Sequence, residues 1–329
     1  MTVCCMVLPD GILLYKPEGI VMEKVVSVIQ VVLPIFCCVF LGILSRRKAM
    51  FMPEEIQGFQ HFVVKFCLPC LLFRSCLTAE IGLQALSGLV LPVLLFFTAV
   101  WGFRVGRKWF PYHNIPFVFC CKETGMLGIP LFMILFGADQ AYRVGILDVT
   151  QAIVVFPVIA ILSAAPGASA SPRAVVKEMF KSPLILFSLT GLILNLSGAW
   201  DRMQSVGISG IVLDTFSYIA QPVSVIMLFC AGYNFSLEGG NRREVFRIVA
   251  VHSAIFLAVG LIFQGALFLF PGVDALTRWA VLLYMFLPAS FMVPSLGRKE
   301  QDFIITSGAC SVLTVICLAV FCVMAAFVS

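Results

Sequence analysis

Apolar residues along this chain come in blocks of about twenty, each closed by a short polar or basic connection. Blocks of that length predict helices that cross a bilayer. Ten are predicted, at residues 24–45, 55–75, 83–104, 114–137, 143–165, 182–200, 207–235, 245–270, 276–297 and 302–327. The longest connection, residues 166–181, is rich in Ala, Ser, Pro and Gly and reads as a cytoplasmic linker between two five-helix units, 24–165 and 182–329. Residues 1–23 read as a weak N-terminal leader. They have no basic start, and Pro9, Gly11, Pro17 and Gly19 interrupt any helix, while Met22 directly before the first span is a candidate start.

The fourth block departs from the pattern. Between apolar flanks it carries Lys122, Glu123, Thr124, Gly125, Gly128 and Pro130. Proline removes an amide donor and clashes with the carbonyl four residues back, and the glycines loosen the same turn. Freed backbone groups survive in hydrocarbon only where protein or a wet cavity covers them. A broken span with ionisable groups at mid-depth is a functional-site hypothesis by default.

The two halves repeat one another. Pro34 and Gly42 in the first span match Pro183 and Gly191 in the sixth, eight residues apart in both. Pro69 and Pro222 mark the second and seventh spans, and Pro130 is answered in the ninth by Pro288 and Pro294. An odd number of spans per repeat makes the second copy insert upside down, and paired broken helices in inverted repeats are a transporter signature.

Composition agrees with the pattern. The chain is 61% hydrophobic and 12% charged, with a mean hydropathy of +1.05, far more apolar than a soluble domain. Loops on one side of the predicted topology hold 14 basic residues and those on the other hold 6. This places the loops after odd-numbered helices in the cytoplasm and both termini outside. Trp101, Trp109, Trp200 and Trp279 fall near span ends, as interfacial anchors do. The net charge of +5 includes no basic run of the kind that binds nucleic acid. Most of the 13 cysteines lie in apolar spans as small hydrophobes, and the three histidines are too scattered for a metal site. No phosphate-binding Gly-x-x-x-x-Gly-Lys-Ser/Thr loop is present, which disfavours an ATP-driven pump.

The stretch Thr124-Gly-Met-Leu-Gly-Ile-Pro-Leu131 resembles the Asn-Thr-Gly-Phe-Leu-Gly-Ile-Pro-Leu signature of the auxin efflux carrier family, which includes bacterial malate and malonate permeases. Residues 33–36 with 41–47, 62–73, 181–184 with 191–195, and 287–290 resemble its first, second, sixth and ninth helices. The resemblance implies an all-α membrane protein of ten helices in two inverted five-helix repeats, with broken helices 4 and 9 crossing. It also implies a scaffold from helices 1, 2, 6 and 7, a transport unit from helices 3–5 and 8–10, elevator-type motion and a homodimer formed through the scaffold. One position departs from the signature: Glu123 stands where the family usually has asparagine, and Lys122 precedes it.

Candidate substrate-binding or coupling residues follow. Glu123 at the break reads as a proton or sodium site, or a gate, against the alternative that it and Lys122 are each neutralised by other buried groups. Lys65, four residues before Pro69, is expected on the same helical face toward the break. There it either attracts an anion or pairs with Glu123 or Asp148. Asp148 and Gln151 share a face of the fifth span, and with Gln221 and Ser290 serve either a ligand or helix–helix hydrogen bonding. Thr124 and Gly125 line the break, and Gly128, Pro130, Pro288 and Pro294 shape it.

Together these features predict a secondary active transporter of a small organic anion in a plasma or inner membrane, driven by a proton or sodium gradient or by the anion's own gradient, without cofactor or resident metal. The leading substrates are mono- or dicarboxylates such as malate or malonate, or an auxin-like acid. A ligand-sensing receptor on the same fold, a passive anion channel and an intramembrane enzyme using Glu123 or Asp148 are the rivals.

Overall fold

The computed structural model describes residues 17–79, 90–151, 155, 181–235, 242–269, 273–291, 293–296 and 299–328. The leader before residue 17, the start of the third predicted span, most of the fifth beyond residue 151 and the linker up to residue 180 lie outside the described residues.

The regular secondary structure of the described residues is helical apart from one isolated bridge, as the apolar blocks require. In chain order the helices are α1 (Pro17–Arg47), α2 (Pro53–Phe62), α3 (Leu68–Leu77), α4 (Val90–Trp109), α5 (Ile115–Val118), α6 (Ile129–Phe136) and α7 (Tyr142–Thr150). Then follow α8 (Pro183–Leu196), α9 (Ala199–Ser205), α10 (Ser209–Ala220), α11 (Val223–Tyr233), α12 (Arg242–Leu269), α13 (Ala275–Phe286) and α14 (Glu300–Val328). A π turn at Val63–Cys67 joins α2 to α3.

Among the described residues, five helical stretches are long and apolar enough to cross a membrane: Val28–Arg47, Pro53–Leu77, Ser209–Tyr233, Arg242–Gly265 and Glu300–Val328. A sixth arises if α8 and α9, bent by 73°, count as one span. The bend falls at Gly198, whose φ of +69° is left-handed and suits glycine. Thr124–Phe136 and Ala275–Phe286 are apolar but shorter. Length and composition make this a multi-pass membrane protein. Large apolar side chains such as Leu33, Phe40, Ile193 and Phe268 remain outward-facing, as lipid contact permits.

Two close pairings organise one side of the molecule. Helix α1 packs on α11, where Gly42 faces the backbone of Phe229 and Gly232 that of Val39, so closely that a Cβ on either glycine would collide with a carbonyl. Arg46 then donates to the carbonyls of Tyr233 and Phe235 at 3.3 and 3.2 Å, closing the end of α11. Helix α8 packs on α3 in the same manner, with Gly191 against the carbonyl of Phe73. Asn195 caps the end of α3 by donating to the carbonyls of Cys76, Leu77 and Ala79. Trp200, expected as an interfacial anchor, is buried against Phe73 and Leu77 instead, because the bend at Gly198 folds α9 back over them.

On the other side, α4 packs on α5 and α7, and α12 on α13 and α14. Helix α13 touches α7, and α14 touches α5. The short elements of the two interrupted stretches are thus enclosed by the long helices, which positions the site.

Candidate functional site

Helix α5 ends after one turn, and the chain runs through Cys120 and Cys121 to an extended Lys122. Helicity resumes as a π turn at Thr124–Gly128 that leads into α6. Pro130 is buried at the second position of α6, directly after the π turn, whose wider bonding runs from the Ile129 amide back to the Thr124 carbonyl. Helix α13 ends at Phe286. Leu287 is extended, with φ −58° and ψ 144°, as a residue preceding proline prefers.

The two interruptions lie side by side. Glu123 N–H donates to the Pro288 carbonyl at 2.9 Å, and Ser290 N–H donates to that of Cys121 at 3.2 Å. Lys122 and Ala289 form an antiparallel bridge between them. Backbone groups released by each break therefore satisfy those of the other, as a buried interruption demands. Gly128 allows this approach: a Cβ there would lie 2.8 Å from Leu287 Cδ1 and 3.3 Å from Val144 Cγ1.

Glu123 turns its carboxylate onto two sources of donors. Its Oε1 accepts the Met126 amide at 3.3 Å, which caps the helix beginning at Thr124. Its Oε2 accepts the Phe291 amide at 2.8 Å and the Ser290 hydroxyl at 3.2 Å. A carboxylate is thus held at the electropositive start of one helix by the backbone of the opposite break.

Lys122 points the other way. Its Nζ donates to the carbonyls of Met285 and Leu287 at 3.3 and 3.2 Å. It lies 2.9 Å from His252 Nε2 and 3.3 Å from the centre of the Phe256 ring. The side chain is only 2% exposed, and no carboxylate among the described residues forms an ion pair with it. The two side chains of the Lys–Glu dipeptide therefore meet different partners.

Helix α7 supports the junction. Gln151 receives the Lys122 amide on Oε1 at 2.7 Å and donates Nε2 to the Lys122 carbonyl at 2.8 Å. The Tyr284 hydroxyl donates to the same Oε1 at 2.9 Å. Thr124 donates its hydroxyl to Asp148. Of the residues singled out from the sequence, Lys122, Glu123, Thr124, Gly128, Asp148, Gln151, Pro288 and Ser290 meet here. Gly125 is half-buried in the π turn with room for a Cβ, and Pro294 is buried in a short 3-10 turn after the junction.

Lys65 and Gln221 do not join it. Both are exposed, and no hydrogen bond among the described residues ties either to the site. The expected face for Lys65 assumed a regular helix between it and Pro69. The π turn at Val63–Cys67 adds a residue to that turn, and Lys65 points outward while Pro69 is buried. Gln221 falls between α10 and α11, where Pro222 interrupts the helix and the side chain faces away from the core.

His252, Phe256, Tyr284 and Phe291 belong to the site without having been singled out. Only His252 left a trace in the sequence, as an ionisable residue deep in an otherwise apolar stretch. Phe291 acts through its amide, which no side-chain pattern reveals.

Residues 27–174 match a family model described as membrane transport protein. Over that range the chain is similar to this family. The match contains the 124–131 motif and bears out its resemblance to the auxin efflux carrier family. The family indicates a membrane transporter, and its members are transporters rather than enzymes. No curated protein sequence matches the chain.

Proposed function

We propose that this transporter is a secondary active carrier of a small organic anion, and that the substrate's carboxylate uses the seat now filled by Glu123. The observation that carries the reading is the convergence of the Met126 amide, the Phe291 amide and the Ser290 hydroxyl on one carboxylate. Donors fixed in this way at a helix start select a carboxylate whether it arrives on a side chain or on a solute. Mono- or dicarboxylates such as malate or malonate are the leading class, with an auxin-like acid sharing the chemistry. Glu123 must leave the seat or take up a proton as the anion enters, because two carboxylates cannot both be charged there. Proton uptake by Glu123 as it yields the seat couples transport to a proton gradient.

Reciprocal packing supports two inverted repeats crossing at the breaks. The contact of α1 with α11 is matched by that of α8 with α3, and the contacts of α4 with α5 and α7 by those of α12 with α13 and α14. Helices 1, 2, 6 and 7 then form the scaffold and the remainder an elevator-type transport unit, with a homodimer through the scaffold and both termini outside.

The test is uptake of labelled malate, malonate and an aromatic monocarboxylate by proteoliposomes under an imposed proton or sodium gradient. Saturable uptake of one of them under a gradient, lost in Glu123→Gln, is expected. Absence of uptake of every carboxylate under both gradients, or uptake indifferent to Glu123, overturns the reading.

A further inference from the structure

The end of α13 presents what a small cation needs. Its last carbonyls have no helical partner, and the negative end of the helix dipole points at them. Two of them, on Met285 and Leu287, converge on one point. His252 Nε2 supplies a third acceptor, and the face of Phe256 closes the site. Such a set of carbonyls at a broken helix end, beside an aromatic face, is a seat for a monovalent cation.

That seat is filled by the chain itself. An ammonium has three donors and no acceptor, and Lys122 has one partner for each: two carbonyls and an imidazole nitrogen. His252 must then be neutral, with its proton on Nδ1, since a protonated ring offers no acceptor and would repel the lysine. Nδ1 is buried and has no hydrogen-bond partner among the described residues. Nothing anionic forms an ion pair with this buried charge there, so the carbonyl dipoles and the ring carry its compensation.

We propose that residues 285, 287, 252 and 256 form a monovalent-cation site that Lys122 occupies as a tethered ammonium. Two consequences follow. The wild-type junction needs no sodium ion at this position, whatever anion is carried. Truncating Lys122 opens a cavity, capped by carbonyls, that binds a free primary ammonium.

Thermal unfolding of the purified full-length protein in detergent tests this without a transported substrate, so its failure is separate from that of the carrier reading. Wild type, Lys122→Ala and Lys122→Met are each titrated with methylammonium, ethylammonium or sodium chloride, against choline chloride at equal ionic strength. Lys122→Ala is expected to unfold below wild type and to recover roughly 2 °C, saturably, at a tenfold excess of ethylammonium over its Kd. Wild type, whose seat is full, does not respond beyond choline. Lys122→Met fills the channel without the charge, so it unfolds below wild type and does not respond to ethylammonium. Adding Phe256→Leu to Lys122→Ala weakens the response. Should Lys122→Ala fail to fold, Lys122→Met decides alone. The proposal is overturned if Lys122→Ala ignores methylammonium, ethylammonium and sodium alike, or if Lys122→Met is as stable as wild type.

Discussion

Glu123 Oε2 accepts the amide of Phe291 at 2.8 Å, although 168 residues of chain separate them. The contact makes Glu123 a strut between two interrupted stretches as well as a charge. Glu123→Gln can keep an acceptor oxygen for the Phe291 amide and the Ser290 hydroxyl, which share Oε2, while it strands the Met126 amide and removes the charge. The variant is expected to fold, losing about 1–3 kcal/mol of stability, while uptake in proteoliposomes falls at least about tenfold, a barrier change near 1.4 kcal/mol. Glu123→Ala leaves all three donors unpaired and should unfold at a clearly lower temperature than Glu123→Gln.

Gln151 holds the peptide of Lys122 by both of its polar atoms, at 2.7 and 2.8 Å. Gln151→Leu strands a buried amide and a buried carbonyl, each at a cost of roughly 1–3 kcal/mol. Tyr284→Phe removes one neutral hydrogen bond to the same side chain, about 1 kcal/mol. Thermal unfolding should therefore rank wild type above Tyr284→Phe above Gln151→Leu. The reverse order would remove Gln151 as the support of the junction.

The glycines divide by what faces them. A Cβ at Gly42 or Gly232 meets backbone of the opposite helix, whereas one at Gly58 or Gly210 meets nothing within 4 Å. Gly42→Ala and Gly232→Ala should lower the unfolding temperature sharply by forcing α1 and α11 apart. Gly58→Ala should be neutral or stabilising by about 0.5–1 kcal/mol, since alanine is the better helix residue. Expression and unfolding of the three variants side by side check this.

Arg143 clasps the start of α13 through Asp274, with oxygens at 2.7 Å from both of its terminal nitrogens. Burial pushes the Asp274 carboxyl up, but hydrogen bonds from Thr277 and the Arg143 guanidinium outweigh it and hold the group below its ordinary value. A carboxylate whose folded pKa is depressed stabilises fully above its unfolded pKa, about 3.9, and ceases to as pH falls through the lower folded value. Wild type should lose this contribution only in that acid range. Asp274→Asn should be less stable than wild type at neutral pH, with the difference shrinking as the pH drops below about 3.9. A difference independent of pH would assign the effect to packing.

Much of this was written in the linear pattern. Apolar blocks of bilayer length cannot be buried in so small a soluble domain, so the all-helical membrane class follows from sequence alone. The interruption near Lys122 and Glu123 was equally legible, because proline and glycine act on their own local backbone. So was the family motif at 124–131. Regular helical spacing turns Lys65 the wrong way, since a π turn changes the helical period without any obligatory residue type.

Which groups meet was settled by the tertiary structure. That Glu123 reaches Ser290 and Phe291, and Lys122 reaches His252 and the carbonyls of 285 and 287, depends on two breaks far apart in sequence being brought together by packed helices. Adjacent in the chain, the lysine and glutamate face opposite ends of two helices and bond to different partners. Backbone donors and acceptors make most of those contacts, and they are the same at every residue. A sequence can mark where they are set free, but only the fold determines what they bind.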